Sequence, residues 1–146
     1  MKKQAFKSLS MVALLLVIAA VSVSAQSDRR KVINIPFSFI VGDKTLVAGD
    51  YTVHRNRRDY DTIWLVQSSD GRSSILFSTM SVRASRTQDQ TKLVFRKYGD
   101  RYFLAQVWTP GGNTGRELPQ SKLERELAKN KIESQSIVLP EVASRN

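Results

Sequence analysis

Cysteine is missing from all 146 residues, histidine occurs once, as His54, and acidic residues are few, with 13 Asp and Glu against 23 Lys and Arg. Without cysteine there is no disulfide scaffold, no thiolate metal site and no thiol nucleophile, so packing alone must hold the fold. A single histidine rules out a site built from paired imidazoles. The shortage of acids leaves a formal net charge of +10. Proline occurs four times. Long apolar runs are also scarce: the one that stands out, Met11 to Val21 (MVALLLVIAAV), is about half of the roughly 20 residues that a membrane-spanning helix requires.

That run sits where a secretory signal places it. Lys2, Lys3 and Lys7 precede it, and the small-residue stretch Ser22 to Ala25 follows. Val23 and Ala25 fit the positions that signal peptidase reads, which predicts cleavage before Gln26 and a signal peptide over residues 1–25. A lipid anchor would need a cysteine after the cleavage site, and the twin-arginine signature is absent. The expectation is export of an unfolded chain by the general secretory route, to the periplasm or the outside of the cell, with no transmembrane segment in the mature form. Loss of Lys2, Lys3 and Lys7 with the signal leaves a mature charge of about +7, which suits anionic partners such as envelope polymers, lipid head groups or nucleic acid outside the cell, although no specific nucleic-acid motif is present.

The remainder is the size of one domain with a true core. Gln26 to Lys31 (QSDRRK) is charged and aperiodic and reads as a flexible mature N-terminus. From Ile33 the odd positions Ile33, Ile35, Phe37, Phe39 and Val41 are apolar with polar residues between several of them, the period of a half-buried strand. Pro36 places that strand at a sheet edge or puts a bulge in it. Gly42-Asp43-Lys44 reads as a turn. Further strand follows around Ala48-Gly49-Asp50, with Tyr51 and Val53 inward and His54 outward beside Thr52. Tyr60 to Gln67 and Ser73 to Met80 flank Ser68-Ser69-Asp70-Gly71, which predicts a hairpin with Gly71 in the left-handed conformation. Leu93 to Tyr98 and Arg101 to Trp108 flank Gly99-Asp100. A two-residue turn there sets Phe95 opposite Leu104 and Lys97 opposite Tyr102.

Thr109 to Gly115 (TPGGNTG) predicts a loop. Beyond Pro119, Ser121 and Glu124 have capping-box spacing, and Leu123 and Leu127 share a face, which predicts a short helix near 121–130. Ile137 to Leu139, before Pro140, reads as a last strand or an extended tail. There is no internal repeat or low-complexity tract. The expected fold is mainly all-β: a small antiparallel barrel or sandwich of about seven or eight strands over residues 32–140, in meander order, with one short C-terminal helix and a tail over 141–146.

No catalytic, metal or cofactor motif emerges. His54 lies on the polar face of a strand, and neither a Gly-x-Ser-x-Gly elbow nor a Ser-x-x-Lys pair accompanies it. Asp59-Tyr60-Asp61 is too sparse for calcium and sits beside Arg57 and Arg58, which points to salt bridging. Gly111 to Gly115 lacks the lysine and hydroxyl of a phosphate-binding loop. The other acids occupy turns (Asp43, Asp50, Asp70, Asp100) or the helix (Glu124, Glu126), where turn and capping chemistry explain them. The basic residues are more informative. Arg55, Arg57 and Arg58 form one cluster, and Arg83 and Arg86 another, interspersed with Tyr60 and Trp64. Guanidinium groups grip phosphate, sulfate or carboxylate through bidentate hydrogen bonds.

Ile35 to Val53 (IPFSFIVGDKTLVAGDYTV), Lys92 to Trp108 (KLVFRKYGDRYFLAQVW) and Asn113 to Leu127 (NTGRELPQSKLEREL) together resemble a group of small exported proteins encoded in acidobacterial soil genomes. The resemblance covers nearly all of the mature chain. It implies export and one β-rich domain, and it brings no catalytic or binding residues with it. The expectation is therefore a non-enzymatic exported β-domain that binds anionic envelope polymers or lipids, or serves a structural role there, at Arg55, Arg57, Arg58, Arg83 and Arg86, with no cofactor and no metal. Two other readings compete: a hydrolase with unrecognised carboxylate chemistry, and a barrel with Ile35, Phe37, Phe39, Ile75 and Phe77 lining an apolar cavity.

Overall fold

A computed structural model describes residues 31–56, 61–130 and 134–141. The expected signal peptide, residues 26–30, Arg57 and Arg58 with Asp59 and Tyr60, and residues 142–146 of the expected tail lie outside these described residues. The described residues are mostly β, with two sheets and one short helix. The four-stranded sheet has the order β1 (Val32–Ile35), β4 (Gly49–Arg55), β5 (Ile63–Ser68), β6 (Ser74–Ser78). The larger sheet runs β11 (Ser134–Pro140), β8 (Lys92–Tyr98), β9 (Arg101–Trp108), β10 (Thr114–Glu117), β7 (Met80–Arg83), and β2 (Phe39–Val41) joins it by a parallel contact with β9 and carries β3 (Lys44–Leu46). Among the described residues neither sheet closes into a barrel.

The first expected strand is two strands in different sheets. Pro36 has no amide to donate, so the ladder stops at Ile35 and resumes at Phe39 after the chain has changed sheets. The inward parity survives the break: Ile33, Ile35, Phe39 and Val41 are all buried, and Phe37 packs against them. The order is not a meander either. β3 and β4 are neighbours in the chain, yet β3 pairs with β2 and β4 with β1. A second switch falls at Thr79, between β6 and β7, where the buried Thr79 donates both its amide (2.8 Å) and its hydroxyl (3.0 Å) to the Thr62 carbonyl.

Both expected hairpins are present. Gly71 is left-handed (φ 73°) in the β5–β6 turn. β8 and β9 pair Phe95 with Leu104 and Lys97 with Tyr102, with a bulge between Val94 and Phe95. The bulge shifts parity along β9, so that strand is buried on both faces: Leu104 and Val107 join the main core, and Phe103 and Trp108 are buried outside that cluster. The main core takes Ile33, Tyr51 and Val66 from the smaller sheet and Phe39, Leu93 and Phe95 from the larger. Phe95 is its hub, with the Phe37 and Phe39 rings edge-on at 5.3 and 5.5 Å.

The glycine-rich loop is shorter than expected, because Thr114 and Gly115 belong to β10. Gly115 is fixed by a close approach: a Cβ there would stand 2.6 Å from the Trp108 ring, so a side chain would have to displace the indole. The helix, α1 (Lys122–Lys129), starts where capping predicts, with the Ser121 hydroxyl accepting from the Glu124 amide at 3.2 Å. In a full capping box the Glu124 carboxylate would turn back to the Ser121 amide. Here it is buried, with Oε1 2.6 Å from Arg96 Nε, so the acid joins α1 to β8. Arg96 also reaches Glu117 (3.4 Å) and the Leu118 carbonyl (3.4 Å). Tyr98 lies within the same group, and burial first, then the Glu124 charge, pushes its phenol above the usual value.

Candidate anion-binding site

Arg55 ends β4 and pairs with Asp61. The other Asp61 oxygen lies 3.9 Å from Arg116 Nη2 in β10, and Arg116 Nη1 donates to the Ser81 hydroxyl of β7 at 3.0 Å. One carboxylate is thus shared by two guanidinium groups. The β10–β7 register sets Arg116 opposite Ser81 and Thr114 opposite Arg83. Arg116 and Arg83 are therefore diagonal neighbours on one face, a relation that holds Cα atoms at about 7–8 Å. Arg83 is exposed, and Arg86 lies exposed in the loop that follows.

That loop is tied down by backbone bonds to the glycine-rich loop: the Ala84 amide donates to the Asn113 carbonyl (2.8 Å), Gln88 to Gly112 (2.9 Å) and Gly111 to Gln88 (3.0 Å). Gly111 takes a φ of 90° there, a conformation that glycine supplies without strain. The Gln88 side-chain amide also donates to the Arg86 carbonyl at 2.9 Å. The glycine loop thus acts as a brace for the segment that carries Arg86.

Of the expected residues, Arg55 and Arg83 come to one surface through Asp61, Arg116 and Ser81, and Arg86 extends it. The charge is uneven across it. Arg55 and Asp61 are both more than half exposed, so their pair contributes little stability. The Arg116 side chain is only 19% exposed and held by two partners, which fixes its direction. Among the described residues, Arg83 and Arg86 have no ion-pair partner. One carboxylate between two guanidinium groups, with two arginines beside it that have no ion-pair partner among the described residues, leaves this surface net positive.

Sequence reading missed Arg116. Its strand has no apolar alternation, and only the β7 register shows where it belongs. His54 lies half-buried on the outward face of β4, opposite Leu65. Asp70 behaves as a turn residue, its carboxyl held below the usual range chiefly by the Ser68 hydroxyl, then by the Arg72 amide. Against known proteins, the chain matches no family model, no curated protein and no solved structure.

Proposed function

We propose that the protein is an exported, non-enzymatic binding domain, its two sheets packed as a β-sandwich, that holds anionic polymers of the cell envelope on the surface running from Arg55 through Arg116 to Arg83 and Arg86. The observation that carries this reading is the sharing of Asp61 between Arg55 and Arg116 beside two arginines that have no acidic partner among the described residues. The basic composition and the signal-like N-terminus supply the setting, as does the resemblance to small exported proteins. Strength here comes from several charge-assisted contacts along one chain of ligand charges, so the binding should be polymer-selective and salt-sensitive.

The test is binding of the protein to a sulfated polysaccharide, lipopolysaccharide and anionic vesicles across a salt series, followed by tryptophan fluorescence. We expect saturable binding to a polymer that weakens as salt rises, and a loss of about tenfold or more in Arg83→Ser/Arg86→Ser, whose fold is unchanged because both side chains are exposed. Equal binding by that variant, or uniform weak binding to every anion, would refute the assignment.

A further inference from the structure

A second surface feature with directional chemistry is a sheet edge. β6 closes one side of the smaller sheet and β7, continuous with it through Thr79, closes one side of the larger. From Ser73 to Val82 (SSILFSTMSV) the chain has no charged residue and no proline, which are among the devices that normally blunt an open edge. Leu76 and Met80 are 57% and 59% exposed. At β1, the other end of the smaller sheet, Lys31 and Glu141 form an ion pair at 3.1 Å that ties the start of β1 to the end of β11. An open groove of about 900 Å³ runs along β6, and the β2–β3 turn at Gly42 and Asp43, with Leu118 and Pro119, also lines it.

The direction of the β6 backbone follows from its known bonds. The Ser68 amide donates to the Ser73 carbonyl at 2.9 Å, and the Thr79 amide to the Thr62 carbonyl at 2.8 Å. Alternation in an antiparallel ladder then turns residues 75 and 77 toward β5 as well, and leaves the N–H and C=O groups of Ser74, Leu76 and Ser78 directed out of the sheet edge. These are strong polar groups arrayed at strand spacing along an uncharged, partly apolar edge.

We infer that this edge receives a second copy of the chain, β6 pairing antiparallel with β6 about a two-fold axis through Leu76. A two-fold interface must be self-complementary, and Ser-Ile-Leu-Phe-Ser is: Ser74 meets Ser78, Leu76 meets its own counterpart, and Ile75 meets Phe77. The register matches the backbone too, since outward residues face outward residues and each such pair exchanges both its bonds. Leu76 and its cross-strand neighbour Leu65 then form an apolar strip continuous with that of the second copy. The charge argument favours the same place. Copies of a net-positive chain repel, an uncharged segment adds no like-charge contact to that repulsion, and the nearest charges on the groove, Asp43 and Lys44, are adjacent and opposite in sign.

Sedimentation equilibrium on the protein recovered after expression of the full chain tests this. A dimer mass is expected, with Leu76→Lys raising the dissociation constant by about tenfold or more, because it sets two like charges directly opposite each other. Near-ultraviolet circular dichroism checks that this exposed substitution leaves the fold intact. Since the chain has no cysteine, Leu76→Cys places a lone thiol on the axis, where paired Cα atoms are about 5.5 Å apart. A short bis-maleimide should link it into dimers, and should not link Val138→Cys, an exposed position on β11. A monomer at every concentration, an unchanged dimer in Leu76→Lys, or equal linking of the two thiols would overturn the inference.

Discussion

Phe95→Ala is expected to lower the free energy of unfolding by about 3–5 kcal/mol, the range for removing a buried aromatic ring whose neighbours can close the space only in part. Phe95 is fully buried and touches rings from two different segments, Phe37 in the connection between β1 and β2 and Phe39 in β2. Its loss therefore removes contacts that hold the switched strand to the β8–β9 hairpin, and relaxation cannot fill the gap from one side. Urea unfolding followed by tryptophan fluorescence measures the change. Val47→Ala, at a site 69% exposed between β3 and β4, provides the contrast and should shift stability by no more than about 0.5 kcal/mol. A Phe95→Ala cost near that of Val47→Ala would contradict this packing.

Arg96→Met should cost about 3 kcal/mol, and restoring the loss should take a second change, not a reversal. With the guanidinium gone, the Glu124 carboxyl, whose side chain is only 3% exposed, would be left buried without its 2.6 Å partner. Removing both charges in Arg96→Met/Glu124→Leu replaces the pair with apolar contacts of similar volume, an exchange that is often neutral or stabilising. Urea midpoints of the single and double variants decide this. A double variant no more stable than the single one would mean that the pair itself, and not the orphaned acid, sets the cost. The partial exposure of Arg96, at 22%, is the reason for taking the low end of the range.

Local patterns in the chain revealed much of this fold, and tertiary choices hid the rest. The β8–β9 hairpin was legible down to the pairing of Phe95 with Leu104, because a two-residue turn fixes register without help from distant residues. The β5–β6 hairpin and the Ser121 cap were legible for the same reason. Alternation identified Ile33 through Val41 as inward-facing, and burial agrees. It could not show that the chain changes sheets after Pro36, since a strand looks the same whichever sheet receives it. The switch at Thr79 was hidden likewise. β10 escaped notice because Gly115, which a central strand rarely tolerates, is required there by the Trp108 ring. With β10 went Arg116, and so the link between Arg55 and Arg83. The sequence grouped Arg55 with Arg57 and Arg58, which lie outside the described residues, and it had no means of showing that Asp61 serves two arginines.

Asp61→Asn is the most direct test of the central claim, that these arginines form an anion-binding surface held partly in check by one shared carboxylate. The change keeps the side chain's shape and removes a charge that now meets both Arg55 and Arg116. The measurement is polyanion affinity of Asp61→Asn against the unaltered protein at a series of salt concentrations. Because the surface gains about one unit of positive charge, binding should tighten several-fold at low salt and fall more steeply as salt rises. Unchanged or weaker binding with the fold intact would contradict the account, and would mean that anions, if bound at all, are held elsewhere on the molecule.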